Sequence, residues 1–202
     1  MALTERPSPP ACKRGADEIG HGPLIEALFW RDKSAQLLRS HTMSIKVGDR
    51  LPEATLRTMT PEGPQAKTTA DVFAGKTVAL FAVPGAFTPT CSARHLPGFL
   101  DQAKALKAKG VDLIACVAVN DVFVMDAWGK AQHVDGDILM LSDGNGDFTK
   151  AVGLELDGSK FGMGPRSQRY SLVAKDGVVS QLNVEAGGEF KVSAADYMLE
   201  HL

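Results

Sequence analysis

Beyond residue 42 the sequence predicts an α/β fold, a central mixed sheet flanked by helices. Three observations carry this: two near-continuous apolar runs of strand length, an amphipathic helical stretch between them, and a strand–turn–strand pattern towards the C-terminus. Strands buried on both faces of a sheet read as unbroken apolar runs rather than as alternating ones. A helix linking two such strands makes a βαβ unit.

In chain order, residues 1 to 42 read differently from the rest. Pro7, Pro9 and Pro10 open a polar segment, and Leu24, Ile25, Leu28, Leu37 and Leu38 outline an amphipathic helix. We expect this extension to lie outside a folded domain spanning residues 43 to 202. A targeting sequence, a peripheral helix or a stretch upstream of a true start at Met43 would each account for it, and the last is favoured. Acidic Asp17, Glu18, Glu26 and Asp32 speak against an organellar transit peptide.

The two apolar runs are Thr77 to Val83 (TVALFAV) and Val111 to Val119 (VDLIACVAV). Between them Leu96, Phe99, Leu100, Ala103 and Leu106 recur at helical spacing, predicting a helix from Cys91 to Lys109 closed by Gly110. Asp121 to Gln132 reads as a second helix carrying Val122, Met125 and Trp128, and Ile138 to Leu141 as a strand. Arg169 to Ala174 and Val178 to Val184 flank Lys175-Asp176-Gly177, a turn whose glycine can take positive φ, so they form a hairpin. A short helix, Ser193 to Leu199, ends the chain. This succession suits a thioredoxin-like fold.

At 202 residues and 44% hydrophobic, the chain can bury one substantial core. Its 22 basic and 24 acidic residues leave a net charge of −2, which gives no reason to expect nucleic acid or a membrane surface as partner. No run approaches the roughly 20 apolar residues of a membrane span. Cys12, Cys91 and Cys116 are odd in number and lack a C-x-x-C spacing, so neither a disulfide framework nor a metal site is expected. Such usage fits a reducing, cytoplasmic setting, with residues 1 to 42 the segment that would carry any organellar address.

Pro84 to Cys91 (PGAFTPTC) joins the C-terminal end of a strand to the start of a helix, where ligands collect in open α/β sheets. Thr90 is expected to cap the helix and to set Cys91 in its first turn, where free N–H groups favour thiolate over thiol. Pro97 and Gly98 fall inside the helix, so a kink is expected there. Taken alone, a cysteine after a strand is more often a buried structural thiol. Here, however, residues 84 to 91 spell P-x-x-x-T-x-x-C within PGAFTPTCSARHLPGF. That run resembles the active-site segment of peroxiredoxins, most closely the peroxiredoxin 5 and plant type II group. The resemblance extends through SIKVGDRLP (Ser44 to Pro52), ALKAKGVDLIACVAVNDVFVMDAWG (Ala105 to Gly129) and RSQRYSLV (Arg166 to Val173).

The resemblance implies a thiol peroxidase that reduces hydrogen peroxide and alkyl hydroperoxides to water and alcohols. Cys91 would attack and become a sulfenic acid, Thr88 would offer its hydroxyl to the peroxide, Pro84 would shield the sulfur, and Arg169 would hold a guanidinium beside sulfur and substrate. Arg166 is a weaker candidate. The resemblance also implies a homodimer, with an interface around Phe87 and Asp121 to Trp128, and no metal or organic cofactor. His95, four residues after Cys91, would pair with it in an acyl-transfer enzyme. Nothing in the sequence announces a group to orient such an imidazole, so His95 is expected to pack or hydrogen-bond beside the helix.

Glu189-Phe190-Lys191-Val192-Ser193, where relatives of the mammalian type carry a resolving cysteine, contains none. Cys116 matches the second cysteine of the plant type II group but falls in a strand, and is expected to be a core residue; Cys12 is a poorer resolver still. These readings favour a one-cysteine cycle recycled by glutathione, with or without glutaredoxin. The alternatives are a thioredoxin-recycled enzyme resolved by Cys116, and a redox sensor or chaperone switched by Cys91 oxidation.

Overall fold

A computed structural model describes residues 44–202; the expected leader helix and Cys12 lie outside the described residues. The two apolar runs form β3 (Thr77–Val83) and β4 (Leu113–Ala118), paired in parallel with Phe81 opposite Cys116. Side chains of a strand alternate between faces. Val78, Leu80 and Ala82 therefore enter one core with Leu56, Phe73, Phe148 and Leu172, while Ala79, Phe81 and Val83 enter a second with Leu96, Phe99, Leu106, Trp128 and Met198. Both faces of β3 are buried, which is why its sequence shows no polar alternation. Cys91 and Cys116 belong to the second core.

The main sheet also contains β1 (Thr55–Thr60), β2 (Gly63–Thr68), β5 (Leu139–Ser142), β8 (Tyr170–Lys175) and β9 (Val178–Val184), in the order β2-β1-β5-β4-β3-β8-β9. β5 runs parallel to β4, and β8 antiparallel to β3. The sheet is mixed, as expected. The predicted hairpin closes through Asp176 (φ 48°) and Gly177 (φ 75°), both left-handed as a two-residue turn of the primed type requires. The β1–β2 hairpin was not anticipated: β2 (GPQAKT) is an edge strand with little burial, so it lacks an apolar face to betray it. A small separate ribbon pairs β6 (Glu155–Asp157) with β7 (Pro165–Ser167).

Among the helices, α1 (Thr69–Phe73) begins with a reciprocal bond pair between Thr68 and Asp71. The single helix expected from Cys91 to Lys109 is instead three pieces. Helical backbone starts at Pro89, Cys91–His95 form a π-turn, and α2 (Leu96–Asp101) is separated at Gln102 (φ −92°, ψ 2°) from α3 (Ala103–Ala108). The Leu96 N–H bonds the carbonyl of Cys91, five residues back. Pro97 cannot donate to Ala93 and its ring crowds that carbonyl; a widened turn just before it accommodates both facts. Gly110 follows α3 at φ 92°, as its terminator. The helix α4 (Val122–Ala131) is capped by Asp121, whose carboxylate accepts from the N–H groups of Phe123 and Val124. Two short helices, α5 (Asp147–Ala151) and α6 (Ala195–Glu200), complete the fold. No helix of the described residues is long and apolar enough to cross a membrane.

Candidate active site

The C-terminal end of β3 delivers half-buried Pro84 and the loop to Thr88, and the π-turn delivers Cys91. Thr90 does not cap the helix. Its backbone is already helical (φ −65°, ψ −38°) and its hydroxyl makes no capping bond. Helical backbone begins one residue before it, at Pro89, whose missing N–H and fixed φ suit a first helical position. The Ser92 N–H bonds the Thr88 carbonyl at 3.0 Å, leaving Cys91 within the first turn by a different start. The Thr88 hydroxyl donates to the Gly85 carbonyl at 2.9 Å, which aims its lone pairs elsewhere. The loop is tied to the next βα connection by the Ala86 N–H, which donates to Asn120 Oδ1 at 3.0 Å. The turn itself is held by Trp128, whose indole N–H donates to the Ser92 hydroxyl at 3.0 Å.

Cys91 is fully buried, and Arg169, entering β8, reaches it: Nη2 donates to Sγ at 3.4 Å. Through Nη1 the same guanidinium meets His95 Nδ1 at 3.0 Å. The other imidazole nitrogen, Nε2, lies 3.0 Å from the Ser193 carbonyl. Arginine can only donate and a carbonyl can only accept, so the ring is the neutral tautomer with its proton on Nε2. Phe81, Phe99 and Phe190 surround it, with centroids at 5.0, 5.7 and 5.0 Å. Glu185 braces the C-terminal loop. One carboxylate oxygen accepts from the Lys191 N–H (2.6 Å), the Ser193 N–H (2.8 Å) and the Ser193 hydroxyl (2.9 Å). Burial alone would raise this carboxyl, but those bonds, with the field of Arg169, bring it below its ordinary range.

Burial first, and the adjacent Arg169 charge second, hold the His95 imidazole down to about 3, against the Ser193 carbonyl, which favours the proton. An unfolded histidine titrates near 6.5. Between these values the unfolded chain carries the extra proton, so folded stability falls as pH drops below 6.5, by up to about 1.4 kcal/mol per pH unit. His95→Asn, with no titrating ring, should show a shallower loss between pH 6.5 and 4.5 in urea unfolding. Equal slopes for the two proteins would refute this account.

Arg166 makes no hydrogen bond to Cys91 or His95, though its Nη1 stands beside Gly85 of the loop. Its Nε donates to the Met163 carbonyl (2.8 Å) and its Nη1 to the Val119 carbonyl (2.7 Å), so it fastens the β6–β7 ribbon to the end of β4. Cys116 lies buried in β4, and burial, reinforced by nearby Cys91, pushes its thiol well above the ordinary value. Sequence reading placed Cys91, Thr88, Pro84 and Arg169 in or beside this cluster, but missed His95 as the partner of Arg169. Its only signal was the i to i+4 spacing from Cys91. No group of histidine, cysteine and carboxylate side chains suited to a metal occurs among the described residues.

The family model described as Redoxin matches residues 46–199. Peroxiredoxin-2E, chloroplastic, of Arabidopsis thaliana is 51% identical over 165 residues, covering 80% of this chain and 70% of that protein. Peroxiredoxin-2B of the same plant is 49% identical over 160 residues, 78% of this chain and 98% of its own length. Among solved structures, reduced Prx3 in complex with H2O2 from Vibrio vulnificus superposes with a TM-score of 0.75 at 57% identity, over 78% of this chain and 98% of that one. Peroxiredoxin 5 from Alvinella pompejana does so at 0.69 and 37%, over 77% and 96%. With the sheet order, the loop from β3 and the buried cysteine at the helix start, these likenesses carry one conclusion: the chain belongs to the peroxiredoxin family, in its type II branch, and has the thioredoxin-like fold of that family.

Proposed function

We propose that this peroxiredoxin, a thiol peroxidase by family, reduces hydrogen peroxide and alkyl hydroperoxides at Cys91 and is recycled by glutathione, alone or with glutaredoxin. The Cys91 thiolate attacks one peroxide oxygen while the O–O bond breaks. The attacked OH stays on sulfur as sulfenic acid, and the departing oxygen takes a proton to leave as water or alcohol. Negative charge moves from sulfur to the departing oxygen, so the site needs donors near both. The observation that carries the reading is the Arg169 Nη2 donor 3.4 Å from a fully buried sulfur. Thr88, its hydroxyl proton committed to Gly85, is left to accept from the peroxide O–H. Pro84, half-buried and without an N–H, borders the site without competing for the substrate.

A sulfenic acid must next meet a thiol, or further peroxide carries it to the irreversible sulfinic state. Cys116 supports external resolution by what surrounds it: β3 and β5 pair on either side, and its thiol holds its proton firmly. Cys116→Ser should therefore retain peroxide turnover with glutathione to within about twofold, because the change is nearly isosteric and removes none of the groups that meet the peroxide. Loss of that turnover, with retention in the wild type, would mean that Cys116 resolves and would favour thioredoxin as reductant. The π-turn fits either route, since reaching a buried sulfenic sulfur requires the first turn to open, and the Trp128–Ser92 bond is among the contacts that must then give way.

A homodimer is part of the proposal, supported by Phe87 and Phe123, 55% and 64% exposed, on two connections joined by the Ala86–Asn120 bond. Residues 43 to 202 would form the catalytic unit, with residues 1 to 42 an extension. We favour the cytoplasm, with organellar targeting by residues 1 to 42 as the alternative; the chloroplastic names of two relatives describe those proteins.

A further inference from the structure

We propose that His95 is a positioning residue for peroxide reduction. As a neutral ring with its proton on Nε2, it is anchored by the Ser193 carbonyl and, through Nδ1, sets the aim of the Arg169 guanidinium at the Cys91 sulfur. The inference rests on the reading that Arg169 serves Cys91.

Arginine loses much rotamer freedom when fixed, and a guanidinium held by a single contact can swing about it. Here two arms of the fork are engaged at once, Nη2 by Cys91 Sγ at 3.4 Å and Nη1 by His95 Nδ1 at 3.0 Å, and both acceptors belong to one π-turn. Sulfur and orienting nitrogen thus move together if the turn moves. The ring in turn has little freedom. Its Nε2–H is committed to Ser193, aromatic rings pack around it, and Glu185 fixes Ser193 by two bonds to one oxygen. Phe190 closes over the ring and also lies 5.8 Å from the Arg169 guanidinium and 4.7 Å from that of Arg94 in the π-turn, so residues 185 to 193 brace this pair and the turn that carries the sulfur.

The choice of an imidazole has a physical reason. Among the described residues no carboxylate lies within 4.0 Å of the Arg169 guanidinium. A carboxylate would orient it equally well but would neutralise it, and the charge is what a thiolate and a departing oxygen need. A neutral acceptor orients without neutralising. The same burial and charge that hold the ring down to about 3 keep it neutral throughout the physiological range, so it neither delivers nor removes the reaction's proton.

The test is a double-mutant cycle read as the second-order rate of Cys91 oxidation by hydrogen peroxide, trapped as sulfenic acid in rapid-mixing experiments. His95→Phe should slow oxidation on the order of 10- to 100-fold, the range for a misaimed group, and by less than about twofold when Arg169 is already methionine, as expected for two groups acting as one unit. His95→Asn, whose Oδ1 can accept from the guanidinium, should recover most of the rate. Equal slowing in both backgrounds would overturn the proposal by making His95 a packing residue, as would an unaffected His95→Phe. Should Arg169→Met itself oxidise at the wild-type rate, the reading of Arg169 fails, distinguishably from that of His95. A measurement on the unaltered protein guards against misfolding of the variants. Nitrogen-15 spectra at neutral pH should show the His95 proton on Nε2 and none on Nδ1, and a proton on Nδ1 would overturn the inference.

Discussion

Cys91→Ser is expected to eliminate peroxide reduction, the largest effect of any single substitution in this chain. Serine is smaller by little and keeps a polar atom facing Arg169, so the fully buried position should tolerate it with the fold intact. The chemistry should not survive. A serine hydroxyl stays protonated at neutral pH, whereas the reaction needs an ionised, polarisable nucleophile. Cys116 offers no substitute, because burial holds its proton in place. Peroxide consumption with saturating thiol should fall to the rate of thiol and peroxide alone, with circular dichroism unchanged. Turnover above that background in the folded variant would remove Cys91 from the centre of the mechanism.

Arg169→Met should be the next most damaging change, lowering the second-order rate of Cys91 oxidation by about 100- to 1,000-fold, the range for loss of one aimed donor. Methionine preserves length beneath Phe190 but removes every N–H. Two acceptors then lose their partner, Cys91 Sγ and His95 Nδ1. An orphaned buried acceptor costs about 1–3 kcal/mol, so the variant should also unfold at lower urea concentration. Oxidation kinetics measured well below that midpoint separate the two effects. Arg169→Lys should recover little, because an ammonium lacks the planar fork that meets sulfur and imidazole together.

Much of the scaffold was legible because it is buried. The runs at β3 and β4 are apolar on both faces, and the turn Asp176-Gly177 must adopt two left-handed residues. What escaped were elements with no such pressure. β2 is an exposed edge strand, and the β6–β7 ribbon pairs only three residues a side. Thr90 looked like a cap because threonine often is one, yet Pro89 fits the first helical position better and moved the helix start. Pro97 announced a disturbance correctly but not its form, since a kink and a π-turn both relieve the same missing donor.

By itself the sequence determined the family, five of the seven strands of the main sheet, and the loop that presents Cys91, because each follows from local spacing, from apolar runs or from a motif within eight residues. Family resemblance already named Arg169 beside that sulfur; only the tertiary structure decided what holds the guanidinium there. Arg169 is 78 residues from Cys91 and Ser193 is 98 from His95, and nothing local relates such positions. They meet because β8 pairs with β3 and the C-terminal loop folds back under Glu185. Long-range pairing, which brings distant donors and acceptors into one buried space, turned an ordinary histidine on a helix into the neutral partner of a charged arginine.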